Sequence, residues 1–320
     1  MSCRWRRLTQ LGLICLFLVG GLLPAFPDSP IRIAVVLSRD IAPYRQALAG
    51  FEEVLQEAGR PYKLYEFTME GVAAGRGNLV GKVSARHPDL ILTIGSTATR
   101  LISESIDDTP IVFSMVLPSN GSLSLQELRD TNPNLTGTSM EIPIRTQFLK
   151  MMEVLPGTRR IGVLYDPEVT GPLVQDAIPT AESLGLELLP IPVGSQSDIL
   201  ESTDKLIEGA DVLWSVADST VFSPQGLKHI LLSTLRNRIP FVGLSPSFVK
   251  AGALLALSTD YRDLGRQSAE QGIRILDGEH PSGVPITVPR SISLSINMNT
   301  AKQIQVRIGE EIQQSAELFF

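Results

Sequence analysis

The sequence predicts an α/β protein made of two similar halves, each a doubly wound, mostly parallel sheet, and three observations carry that expectation. From Ile31 onward, short apolar strand signals alternate with helical ones, the pattern of helices packed on both faces of a parallel sheet. Segments recur: I-R-I-A-V-V-L-S-R-D (31–40) parallels R-I-G-V-L-Y-D-P-E (160–168), and T-P-I-V-F-S (109–114) parallels I-P-F-V-G-L-S (239–245). A Ser-Thr pair follows a central strand twice, in P-D-L-I-L-T-I-G-S-T-A-T-R (88–100) and in D-V-L-W-S-V-A-D-S-T-V (211–221). In both, an acidic residue opens the strand. Two such corners, one per half, make a cleft.

The elements follow in order. Ile31 to Leu37 reads as the first strand, and Ala42 to Ala58 as a helix with Tyr44, Leu48, Phe51 and Leu55 on one face, closed by Gly59. Tyr62 to Thr68 alternates like a strand, and Leu79 to Arg86 reads as helical. The continuous apolar run at 89–94 suits a strand buried on both faces; Gly95 stops it, and Ser96 can cap a helix reaching about Ile106. Ile111 to Val116 is a strand followed by a turn, L-P-S-N-G-S. Asn134 to Met140 leads into Ile142-Pro143, where the chain is expected to cross to the second half, opened by a helix from Thr146 to Leu155. Strands are then expected at 161–165, 187–193, 211–216, 241–244, 254–258 and 291–296. Helices are expected at 172–184, with Pro179 as a kink, and at 198–208, 225–237, 261–276 and from Thr300 onward.

Composition narrows the function. At 320 residues and 43% hydrophobic content the chain can bury two cores. With 28 Lys+Arg against 34 Asp+Glu, the formal charge is −6, which argues against nucleic acid as a partner. Residues 1–27 read as an export signal: Arg4, Arg6 and Arg7 precede an apolar run from Leu11 to Leu23, Pro24 breaks it, and Ala25 offers a cut. An uncleaved membrane tether is the alternative. Both cysteines, Cys3 and Cys15, lie in that segment, so the exported chain has no thiol. There is no G-x-S-x-G, GK[ST] loop, H-E-x-x-H or metal-spaced His/Cys cluster, and neither catalysis nor a cofactor is expected.

The ordered motifs I-L-T-I-G-S-T-A-T, P-I-V-F, N-L-T-G-T-S, I-G-V-L-Y-D-P, A-D-S-T-V, I-P-F-V-G-L-S, K-A-G-A-L and D-Y-R-D-L-G-R-Q carry a resemblance from about Ile31 to the C-terminus. The chain resembles the solute-binding proteins of ABC transporters built on the type 1 periplasmic binding fold, similar to members that bind tryptophan or tyrosine. The resemblance implies two Rossmann-like lobes joined by three crossovers and closing on a small ligand: 28–140 plus 259–286 as lobe one, 141–258 plus 287–320 as lobe two. It also implies that the helix 261–276 belongs to lobe one. One departure is visible: where the family often carries an acidic residue and proline after the P-I-V-F strand, this chain has Leu117-Pro118.

Candidate ligand residues follow from the corners. Ser96 and Thr97, with the free N–H groups of their helix, suit a carboxylate. Asp218, beside Ser219 and Thr220, suits a cation such as an α-ammonium, or else caps its own turn. Tyr165 is the aromatic expected to face the ligand, because it ends its strand as Ser38 does in the first half; Phe113, Trp214 and Phe222 are expected to pack in cores. Ser114 and Ser245 hold matching strand ends as further contacts, and Asp260 is expected to cap the helix after it. The expectation is a monomeric periplasmic receptor that hands an amino-acid-like solute, aromatic amino acids first, to an ABC permease in the membrane. The alternative is a sensing clamshell that reports to a membrane receptor.

Overall fold

The computed structural model describes residues 29–69, 76–117 and 125–320. The expected export signal and the turn after Leu117 lie outside them. The first sheet is β1 (Ile31–Leu37), β2 (Tyr62–Thr68), β3 (Leu90–Ile94), β4 (Ile111–Val116) and β5 (Leu135–Ser139), all parallel in the order β2-β1-β3-β4-β5. Its helices are α1 (Ala42–Glu57), α2 (Arg76–Ser84), α3 (Ser96–Ser103) and α4 (Leu125–Thr131).

The second half repeats that order and extends it. After α5 (Ile144–Val154) come β6 (Arg160–Tyr165), α6 (Gly171–Ser183), β7 (Glu187–Pro192), α7 (Asp198–Gly209), β8 (Val212–Trp214), α8 (Pro224–Asn237), β9 (Phe241–Gly243), α9 (Pro246–Ala251) and β10 (Leu255–Thr259). Then follow α10 (Tyr261–Leu276), β11 (Ile292–Asn297), α11 (Met298–Gln303), α12 (Glu310–Ser315) and β12 (Glu317–Phe319). The second sheet runs β12-β11-β10-β9-β8-β6-β7, with β10–β11 antiparallel.

Alternate residues of each central strand feed opposite cores, as a two-faced parallel sheet requires. In β1, Ile33, Val35 and Leu37 pack with α1 and α10, whereas Ala34 and Val36 face α2 and α3. In the second sheet Ile161, Val163 and Trp214 pack with α5, α6 and the C-terminal helices, while Leu164 and Leu213 face α7 and α8. The acidic strand openers explain part of the repeat: Asp89 accepts from the backbone N–H and guanidinium of Arg32, and Asp211 from the backbone N–H groups of Arg159 and Arg160 and the Arg160 guanidinium.

The chain passes between the sheets three times: after β5, between β10 and α10, and before β11. Helix α10 returns to the first sheet and packs on α1 so closely that a Cβ at Gly265 would sit 1.8 Å from the Ala47 carbonyl oxygen. Around that crossing Arg262 and Arg266 pair with Glu53, and Arg266 also with Glu57. Four segments differ from expectation, two of them the short helices α4 and α9, which the sequence reading did not expect. Leu135–Ser139 is a full strand, whose Thr136 and Thr138 hydroxyls bond to Val284 and Gln271 of the returning chain. The C-terminus is two short helices and a strand on β11, not one helix from Thr300.

Candidate functional site

The first Ser-Thr corner is built around Gly95. Its φ of +91° lies in the left-handed region, and a Cβ there would stand 2.4 Å from the Tyr44 hydroxyl and 2.8 Å from Ser38 Oγ, so only glycine fits. The residue preceding α3 is Gly95, and no side chain of that residue caps the helix. Instead Ser38 Oγ, at the end of β1, accepts the Ala98 N–H at 2.8 Å. Ser96 is thus the first helical residue and not the cap; its Oγ accepts from the Leu117 N–H at 3.3 Å, tying the corner to the end of β4. Thr97 is exposed, and the backbone N–H groups of Ser96 and Thr97 have no partner among the described residues. Four helix-start donors are orphaned by construction, so this pair is what remains for an anion. Ser114 lies beneath the corner, fully buried, with its hydroxyl unpartnered among the described residues and Met115 beside it at φ +57°.

The second corner has the same residues and a different chemistry. Asp218 is 2% exposed; its Oδ2 accepts from the Asp166 N–H at 2.8 Å and the Thr170 hydroxyl at 2.6 Å, and its Oδ1 from the N–H groups of Thr220 and Val221. A carboxylate offers about four acceptor positions, so none is left for a solute's cation. Of the two roles read from the sequence, cap or ammonium partner, the geometry matches the cap. Thr220 turns inward as well, donating to Asp166 Oδ2 at 2.8 Å, while Ser219 is exposed.

Between the sheets lies a cavity of about 180 Å³. Its floor is the carboxyl ends of β8, β9 and β10, where open α/β sheets place ligands. The crossover segments and Leu117 wall it from the first-sheet side. Trp214 lines it, held by an Nε1–H bond to Gln147 Oε1 at 2.9 Å and by an edge-on contact with Phe148 at 5.0 Å between ring centroids. Ser245 lines it too, its hydroxyl 2.7 Å from that of Ser247. Thr259, at the end of β10, contributes a buried hydroxyl without a partner among the described residues.

Tyr165 is not on this wall; it packs, half-buried, against the core under β6. Phe113 is in the first-sheet core, and Phe222 stacks with Phe241 and meets Phe248 edge-on. The aromatics at the cavity are therefore Tyr261, at the start of α10, and Trp214, which sequence reasoning placed in the core and which, at 3% exposed, serves both. Sequence reasoning also missed Glu141 and Gln147. Glu141 lines the cavity from the first crossover, its backbone N–H bonded to Ser139 Oγ at 3.0 Å. Burial, then the neighbouring Asp176 carboxylate, push its pKa above the ordinary glutamate range. The signal pointing to them is Ile142-Pro143, which marks the crossover and which the two residues flank. Asp260, as expected, caps α10, accepting from the N–H groups of Arg262 and Asp263.

Known proteins share this architecture. The model of the family described as ABC transporter substrate binding protein matches residues 31–319. A tyrosine-binding protein of Clostridioides difficile (strain R20291) is 23% identical over 232 residues, 72% of this chain and 67% of that protein. Among solved structures, a domain in complex with L-Trp from Streptococcus pneumonia aligns at a TM-score of 0.65 and 21% identity, covering 91% of this chain and 100% of that one. A ligand-free, open substrate-binding protein with adhesive properties from Clostridium difficile aligns at 0.73 and 19% identity, covering 90% and 99%. The two mostly parallel sheets with three crossings are the type 1 periplasmic binding fold, and the chain belongs to the ABC transporter substrate-binding protein family.

Proposed function

We propose that the protein is an exported solute receptor that closes its two lobes on an amino-acid-like ligand, aromatic amino acids first, and presents it to an ABC permease. The moving bodies in this reading are residues 28–140 plus 259–286 and 141–258 plus 287–320, with residues 1–27 as the export signal. The observation that carries it is the cavity itself, which lies where the crossings meet the strand ends and has Trp214 on its wall. Closure around such a site excludes water and converts ligand affinity into a population of closed molecules, the form a permease reads.

Within this reading the backbone N–H groups of Ser96 and Thr97, unpaired among the described residues and not on the cavity wall, reach the ligand's carboxylate when the lobes close, with Ser38 fixing their helix and Ser245, which does line the cavity, meeting the ligand from the other lobe. Trp214 supplies a planar wall for an aromatic side chain. The tyrosine and tryptophan named in the two relatives support that class. The test is calorimetry and thermal melting against amino acids, organic acids and sugars. Tyrosine or tryptophan at 100 times its Kd stabilises the protein by about 2.7 kcal/mol. A shift with sugars and none with amino acids refutes the reading.

A further inference from the structure

We propose that Glu141 is the counter-ion for an ammonium group of the solute, and so the residue by which the cleft selects amine-bearing ligands over their amine-free analogues. The proposal rests on the receptor reading above and deepens it.

The carboxylate is in the right place and has no other use. Glu141 is the acidic side chain on the cavity wall, and it stands on a fixed stretch: its N–H donates to Ser139 Oγ, whose hydroxyl bonds in turn to the Val116 carbonyl oxygen at 3.2 Å. The first crossover therefore presents it from β5 and β4 and not from a long loop.

Its neighbours make the absence of a partner informative. No described residue donates to its carboxylate, and the charge acting on it is that of Asp176, of the same sign. Four carboxylates elsewhere in the two lobes are, by contrast, occupied. Asp218 takes four donors, Asp166 the Thr220 hydroxyl and the Glu168 N–H, and Asp263 and Glu270 the Arg290 guanidinium. A partly buried carboxylate with only a like charge beside it is held in a costly state, visible in its raised pKa. An arriving ammonium removes that cost and forms a charge-assisted hydrogen bond. Removing the amine from the solute leaves the carboxylate unpaired in a closed cleft, which is the strongest form of discrimination such a site offers.

The test compares matched pairs by isothermal titration calorimetry on the full chain: L-tyrosine with 3-(4-hydroxyphenyl)propionate, and L-tryptophan with 3-(indol-3-yl)propionate. The wild type prefers the amine-bearing member by about tenfold or more. In Glu141→Gln that preference collapses toward unity through weaker amino-acid binding, Glu141→Asp restores part of it, and the unliganded Glu141→Gln melts no lower than the wild type. Amino-acid binding that keeps its full preference in Glu141→Gln overturns the assignment and leaves the receptor reading standing. A wild type that binds the amine-free members equally well overturns the assignment too, and one that binds no amine-bearing member overturns both.

Discussion

The two Ser-Thr corners begin from the same sequence pattern and end as opposites. In the first sheet, Gly95 turns the chain directly into α3, the cap is lent by Ser38 from a neighbouring strand, and two backbone donors stay open. In the second, Asp218 gathers four donors from its own loop and from the loop after β6, and the corner is closed on itself. A duplicated motif thus leaves one half with two backbone donors unpartnered among the described residues and gives the other a brace. The difference lies in one position: the residue before the Ser-Thr pair is glycine in the first half and aspartate in the second.

That contrast breaks most visibly at the brace. Asp218→Ala strands the N–H groups of Asp166, Thr220 and Val221 and the Thr170 hydroxyl, and is expected to cost about 3 kcal/mol in a denaturant melt. Amino-acid affinity measured on the folded fraction should change far less. The next largest effect is on the other corner, where Gly95→Ala forces a Cβ into a left-handed backbone against Tyr44 and Ser38; about 2 kcal/mol of stability and most of the amino-acid affinity are expected to go together. Ser38→Ala removes only the cap of α3, for about 1 kcal/mol, with a measurable loss of affinity by calorimetry. If Ser38→Ala spares affinity while Asp218→Ala abolishes it, the roles of the corners are reversed.

The smallest expected effect tests what the halves share. Asp89 is held below the ordinary aspartate range chiefly by its hydrogen bonds from Arg32. For Asp211 burial opposes, but the bonds from Arg160 and Arg159 prevail and the pKa is also lowered. A depressed folded value means the contribution is present above the ordinary value of 3.8 and is lost as pH falls through the folded one. Both pairs are substantially solvent-exposed, so the effect is slight. Asp89→Asn and Asp211→Asn should each flatten the acid limb of a melting-temperature profile by similar amounts, and unequal flattening would show that the strand openers are not equivalent.

The strands buried on both faces were legible because their runs, such as Leu90 to Ile94, have no polar face to disguise them. The repeat was legible because Asp89 and Asp211 do the same job at the same place. Strand β5 was hidden: its threonines read as polar loop, and what buries them is chain some 130 to 150 residues later, at Gln271 and Val284. Strand β12 has three residues and exists only because β11 offers an edge. The open donors at Ser96 and Thr97 followed from strand-Gly-Ser-Thr alone. Glu141, Gln147 and the cavity face of Trp214 did not, since they meet only after the crossovers have set the two sheets against each other.

Small-angle X-ray scattering on the purified protein, with and without saturating L-tyrosine or L-tryptophan, tests the central claim most directly. Two lobes closing on a solute between them predict a radius of gyration that falls on binding and returns when the ligand is dialysed away. Binding confirmed by calorimetry with an unchanged scattering curve would contradict the account.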